Sequence, residues 1–143
     1  MTRRSVSGTD TMKAHLIFYV RDQKVSAQFY SRVLGCEPDL DVPGMTEFQL
    51  NDGTVLGLMP TEGIKRLLGK KLPDPEQAAG VPRAELYLLT EKPGEYHQRA
   101  LQNGAQELSA LALRDWGHEA AYSLDPDGNV LVFACDKRQR YGT

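Results

Sequence analysis

The chain has 143 residues, 41% of them hydrophobic and 25% charged, with a formal net charge of −2. That is enough for one compact domain or two small modules sharing a core, and it excludes disorder and collagen-like repeats. The charge lacks the basic excess of a general nucleic-acid binder, and no apolar run approaches the ~18–20 residues of a membrane helix.

Residues 1–12 are polar and carry no apolar core of a targeting peptide, so they read as a disordered tail. Residues 13–62 read as a first βαβββ module. His15-Leu-Ile-Phe-Tyr-Val20 is short, β-branched and aromatic, which predicts a strand covered on both faces. Alternation places Ile17 and Tyr19 with His15, and Leu16, Phe18 and Val20 on the core side. Asp22 caps a helix in which Val25, Phe29, Val33 and Leu34 recur at helical spacing, and Gly35 ends it. Thr46–Leu50 and Thr54–Met59 form a hairpin, with Asp52-Gly53 supplying positive φ at the turn. Pro60 stops its second strand.

Residues 63–82 read as a connector with a short helix, Ile64–Leu68, and the turn formers Gly69, Pro73, Pro75, Gly80 and Pro82. A second module spans 83–135. It opens with a strand over Ala84–Leu89. A helix follows from Pro93 to Asn103, ended by Gly104, then a strand over Leu108–Leu113. Ala120–Leu124 and Val130–Ala134 flank Asp125-Pro-Asp-Gly-Asn129 as a second hairpin. Residues 136–143 form a polar tail that frays.

The halves repeat in order and spacing: His15 precedes its helix-ending glycine by 20 residues and Glu85 by 19. One such unit covers one sheet face with its helix and leaves the other bare. Pairing two units solves this, within the chain or between chains. A homodimer is therefore expected.

The segment His15-Leu-Ile-Phe-Tyr-Val-Arg-Asp22, with Phe29-Tyr30 and Leu34-Gly35 after it, resembles the opening of the vicinal oxygen chelate superfamily. Asp125-Pro-Asp-Gly-Asn129 before a final apolar strand, with Trp116-Gly117 and Ala121-Tyr122 ahead of it, is similar to the superfamily's second module. Glyoxalase I, extradiol dioxygenases and the bleomycin- and fosfomycin-resistance proteins belong to that group. The resemblance covers roughly residues 13–135 and implies an α+β fold of two paired βαβββ modules, forming a cupped mixed sheet around a cavity. In metal-dependent members the cup holds a divalent ion on four positions. These fall here on His15, Gly57, Glu85 and Val132. His15 and Glu85 are competent ligands; Gly57 and Val132 offer no donor, and no Asp or Glu lies in residues 54–59 or 130–135. The position that carries the carboxylate for isomerase or dioxygenase chemistry is apolar.

His15 reads as a ligand, a general base, or a hydrogen-bonded cavity residue. Glu85 reads as a second ligand, a partner of His15 across the cup, or an exposed edge residue. Ile17, Tyr19, Gly57, Met59, Tyr87, Trp116 and Val132 complete the expected ligand cavity, with ordinary core packing as the alternative. Cys36 and Cys135 sit in no cysteine motif and read as structural thiols; His97 and His118 read as surface residues. The basic cluster Lys65, Arg66, Lys70 and Lys71 reads as a solvated face.

These features favour a small-molecule binder similar to the bleomycin-resistance branch, with no cofactor. The alternative is a metal-dependent lyase or isomerase resembling glyoxalase I (lactoylglutathione lyase), or a related dioxygenase, using zinc, nickel, manganese or iron. A scaffold with a filled cup is the third reading. No nucleic-acid or membrane partner is expected, and few cysteines without a signal peptide favour the cytoplasm.

Overall fold

The computed structural model describes residues 10–138. Most of the expected N-terminal tail, and residues 139–143 of the C-terminal one, lie outside the described residues. The first half holds β1 (Ala14–Val20), α1 (Gln23–Leu34), β2 (Leu40–Val42), β3 (Met45–Asn51) and β4 (Thr54–Pro60). Helix α2 (Thr61–Leu68) and two short 3-10 turns, Gly69–Lys71 and Pro75–Ala78, lead to the second half. That half holds β5 (Glu85–Leu89), α3 (Pro93–Gln102), β6 (Gln106–Leu113), β7 (His118–Leu124) and β8 (Val130–Asp136).

The strands form two four-stranded sheets of matching order, β1-β4-β3-β2 and β5-β8-β7-β6. In each, the first strand runs parallel to the last and the other pairings are antiparallel. The fold is α+β, with two mixed sheets. Local chemistry sets the limits of α1. Asp22 Oδ1 accepts the Val25 N–H at 3.1 Å, and Gly35 takes the left-handed φ of 75° that a side chain resists.

Alternation along β1 sorts its side chains. Phe18 and Val20 are buried, whereas Ile17 and Tyr19 are 37% and 42% exposed. Phe18, Val20, Phe48, Leu56 and Leu58 of the first sheet share one core with Leu86, Leu131 and Phe133 of the second. Phe29, Tyr30 and Val33 of α1 and Ala100 of α3 fill the space between. The halves are thus joined on their helix-facing sides, and the opposite sheet faces stay open.

Polar contacts close the seam. Tyr30 Oη donates to Asp125 at 2.5 Å, and the Arg21 N–H donates to Asp127 at 2.9 Å. Arg99 donates from Nε and a terminal nitrogen to the Val33 carbonyl at the end of α1, at 3.1 and 2.9 Å. The connector crosses the β7–β8 turn so closely that a Cβ at Gly128 would stand 2.7 Å from the Gly80 backbone.

Several local expectations change. Gly53 is not among the glycines of positive φ; Asn51 Oδ1 accepts the Gly53 N–H at 2.9 Å instead, and β3 bulges at that point. The three-residue β2 is too short to show a strand pattern in the sequence, and it lies at the exposed edge of its sheet. Helix α2 begins at Thr61, directly after Pro60. His97 is no surface residue: it is 2% exposed on α3, with Nε2 2.9 Å from the Glu107 carboxylate of β6.

Candidate functional site

Strand register arranges the open face of the first sheet in rows. His15 lies beside Val55 and Gln49, Ile17 beside Gly57 and Glu47, and Tyr19 beside Met59. The His15 imidazole meets Glu47, with Nδ1 3.7 Å from a carboxylate oxygen. Pairing of His15 with Glu85 is one of the three sequence readings of Glu85; among the described residues, no hydrogen bond or ion pair joins them, and His15 meets Glu47 instead. The cause is register: Glu47 stands opposite Gly57 on β3, whereas Glu85 opens an edge strand of the other sheet. No local pattern in the sequence encodes that pairing.

Gly57 has no donor of its own, and its surroundings are tight. A Cβ there would stand 3.0 Å from Ile17 Cγ1 and 3.4 Å from Met45 Sδ. A side chain here would press on these apolar neighbours, which would have to shift by a few tenths of an ångström.

On the second sheet, Glu85 lies beside Val130 and Leu124, Tyr87 beside Val132 and Tyr122, and Leu89 beside Ala134 and Ala120. His118 and Asp136 pair at the far end. Ala120, Val132 and Ala134 form a small buried cluster packed by Tyr87, Tyr122 and Val130. Val132 is completely buried there, so this donor position is an apolar floor.

Polar groups stand above that floor. Tyr87 Oη lies 2.7 Å from His118 Nδ1, and the Trp116 indole N–H donates to the same oxygen at 3.0 Å. His118 Nε2 faces the Asp136 carboxylate at 3.8 Å. A hydrogen bond from the Arg138 guanidinium leads the causes that hold the Asp136 carboxyl below its ordinary value. Burial pushes the Tyr122 hydroxyl up, with help from the charges of Glu85 and Tyr87, while Arg114 over its ring opposes the shift. His118 is therefore not a surface loop residue. It opens β7, and only long-range pairing reveals its partners.

The remaining groups carry less chemistry. Cys36 is exposed and Cys135 buried, both as free thiols; burial, then Asp39 and Glu37, push the Cys36 thiol up, away from a reactive thiolate. Lys65 is paired with Glu62 and Asp74. A hollow of about 270 Å³ at the seam is lined by Ile17, Tyr19, Arg21, Arg83 and Asp127 among others. A larger one, about 680 Å³, lies between α1 and the segment leading into β2, away from all the expected site residues.

The divalent ion implied by the resemblance does not fit these residues. Two of four positions lack donors and are packed with apolar groups. Among the described residues, no three His, Cys, Asp or Glu side chains group closely enough to hold an ion.

Comparison with known proteins agrees with this architecture. A glyoxalase-related enzyme from Fulvimarina pelagi superposes with a TM-score of 0.73 at 22% identity, covering 85% of this chain and 86% of that one. A glyoxalase/bleomycin resistance protein/dioxygenase family enzyme from Burkholderia phytofirmans PsJN gives 0.72 at 16% identity, covering 85% and 96%. A glyoxalase/bleomycin resistance protein/dioxygenase from Nocardioides gives 0.71 at 18%, covering 91% and 86%. At these identities the likeness is one of fold. No curated protein matches the sequence. The sequence model of the Glyoxalase/Bleomycin resistance protein/Dioxygenase superfamily, however, matches residues 14–133, nearly the whole described chain, and the protein belongs to that superfamily.

Proposed function

We propose that the chain binds a small, partly apolar molecule on its open sheet faces without a tightly bound metal. One observation carries this reading: two of the four donor positions are Gly57 and Val132, which bring no donor, while Tyr87, Trp116 and His118 keep polar atoms beside the apolar cluster of Ala120, Val132 and Ala134. Few directed polar groups on an apolar wall make the ordinary anatomy of a small-molecule site. Elemental analysis of untagged protein purified without chelators, followed by thermal-shift screening with aromatic compounds, tests it. The expected result is far less than one metal per chain, with ligand-induced rises in Tm that survive a chelator. Near-stoichiometric zinc, nickel, manganese or iron, lost in His15→Ala or Glu85→Ala, overturns the reading.

A second reading, a metal-dependent lyase or isomerase resembling glyoxalase I, is favoured by one feature. Glu47 faces His15 from the strand beside Gly57, so a carboxylate is available on the first sheet after all. Glutathione hemithioacetal isomerisation that is lost in Glu47→Gln supports this second reading over the first.

We also assign the chain to homodimers in the cytoplasm. Strand β6 is an edge that exposes Leu108, Leu111 and Leu113, which is a liability for a monomer. Two free thiols suit a reducing compartment.

A further inference from the structure

The hollow of about 270 Å³ at the seam lies apart from the open sheet faces. Ile17 and Phe18 both line it, although alternation sends them to opposite faces of β1. It therefore sits at the free edge of that strand, which is hydrogen-bonded to β4 on one side only. The connector supplies one wall, with residues from Pro75 to Arg83, and the β7–β8 turn supplies another, with Asp127 and Asn129. Gly80 approaches Gly128 so closely that the two walls brace each other, and the hollow is formed before any ligand arrives.

Its charges lack partners. The Asp127 side chain is 9% exposed, and Arg21 meets one of its oxygens, Oδ1. Burial, the leading cause, pushes the Asp127 carboxyl up in spite of the Arg21 N–H and guanidinium, so the charge is only partly compensated. Glu76 and Arg83 are exposed and line the same hollow with opposite signs. Among the described residues, neither side chain has an ion pair or a hydrogen bond, with each other or with Asp127. A cation and two carboxylates held apart around one hollow match a ligand that carries both signs. At about 270 Å³ the hollow is smaller than the ~300–1,000 Å³ of drug-sized sites, which suits a ligand of amino-acid size. Ile17 and Val81 add exposed apolar side chains to its walls.

We propose that this hollow binds a free α-amino acid with an apolar side chain: its carboxylate on the Arg83 guanidinium, its ammonium on Asp127 and Glu76, and its side chain against Ile17 and Val81. A planar guanidinium takes both oxygens of a carboxylate at once. The ammonium brings three donors to Glu76 and to the oxygen that Arg21 leaves open on Asp127. This site is distinct from the sheet faces of the reading above and does not depend on it.

Calorimetric titration of the full chain near neutral pH tests this with three compounds of one carbon skeleton. They are L-leucine, 4-methylpentanoic acid, which lacks the ammonium, and 3-methylbutylamine, which lacks the carboxylate. Leucine is expected to bind about tenfold more tightly than either, the worth of one hydrogen bond to a charged group. Arg83→Ala should weaken leucine by about tenfold and leave the amine unchanged. Asp127→Asn keeps an oxygen for the Arg21 N–H and should weaken leucine similarly while leaving the acid unchanged. If Asp127→Asn does not fold, Glu76→Gln, at an exposed position, tests the same end of the ligand. Equal binding of all three compounds, a leucine affinity unchanged by Arg83→Ala and by the acidic-end variant, or no binding of leucine overturns the proposal. None of these variants alters Tyr87, Trp116 or His118, so that failure leaves the small-molecule reading of the sheet faces standing.

Discussion

Tyr30 is buried in α1, and its hydroxyl donates to the Asp125 carboxylate across the seam. Asp125 also accepts the backbone N–H groups of Asp127 and Asn129 and the Asn129 side-chain amide. Tyr30→Phe removes one of four donors and leaves the carboxylate partly satisfied, so it should cost about 1–2 kcal/mol in urea unfolding. The pair also makes a pH prediction. Burial, and then the charge of Asp125, raise the Tyr30 hydroxyl well above the ordinary 10.0. Above that value the unfolded chain releases its proton first and the folded chain keeps it. Stability from this group is therefore complete below pH 10.0 and declines as pH rises toward the folded value. The alkaline loss of Tm should be shallower in Tyr30→Phe than in the parent chain. At this scale the sequence was partly legible. Asp22 as a cap and Gly35 as a helix end are local signals, carried by the residues themselves. Glu47 beside His15 and His118 beside Tyr87 were not legible, because each pair comes from strand register between distant segments.

At the level of the elements, α1 and α3 are coupled by a side chain. Arg99 projects from α3, lies over the Tyr96 ring at 4.5 Å, and ends in a fork on the Val33 carbonyl. That carbonyl is one of those that a helix terminus leaves without an internal partner, and a cation there also opposes the helix dipole. Lysine retains the charge but cannot form the two-pronged contact. Arg99→Lys should cost about 1–2 kcal/mol, and its effect should add to that of Asp22→Ala, about 1 kcal/mol at the opposite end of α1. Denaturant midpoints of the two single variants and the double variant check this. Periodicity marks α1, which buries one stripe, whereas α3 is marked by its ends, Pro93 and Gly104. Local pattern reveals neither β2, a three-residue edge strand, nor the burial of His97, whose polar character argues for the surface although Glu107 meets its ring.

For the whole molecule, a core shared between the sheets predicts one cooperative transition. Trp116 reports from the second half and far-ultraviolet circular dichroism from both, so their urea curves should coincide; separate midpoints would mean that each half folds alone. If β6 joins two chains, Leu111→Lys with Leu113→Lys should convert the dimer to a monomer by light scattering, with Tm dependent on concentration only before the change. The duplicated architecture was legible because turn glycines and apolar strands recur at matched spacing. The way the halves meet was not, since the sequence permits pairing within or between chains. Here the approach of Gly80 to Gly128 matters. It fastens the end of the connector to the second half, so the linker is no free tether. Should two chains ever trade halves, the hinge must lie upstream of Gly80, in the stretch from Gly69 to Ala79. Shortening that stretch would strain the path within one chain and drive the exchange, and lengthening it would keep each chain's halves together.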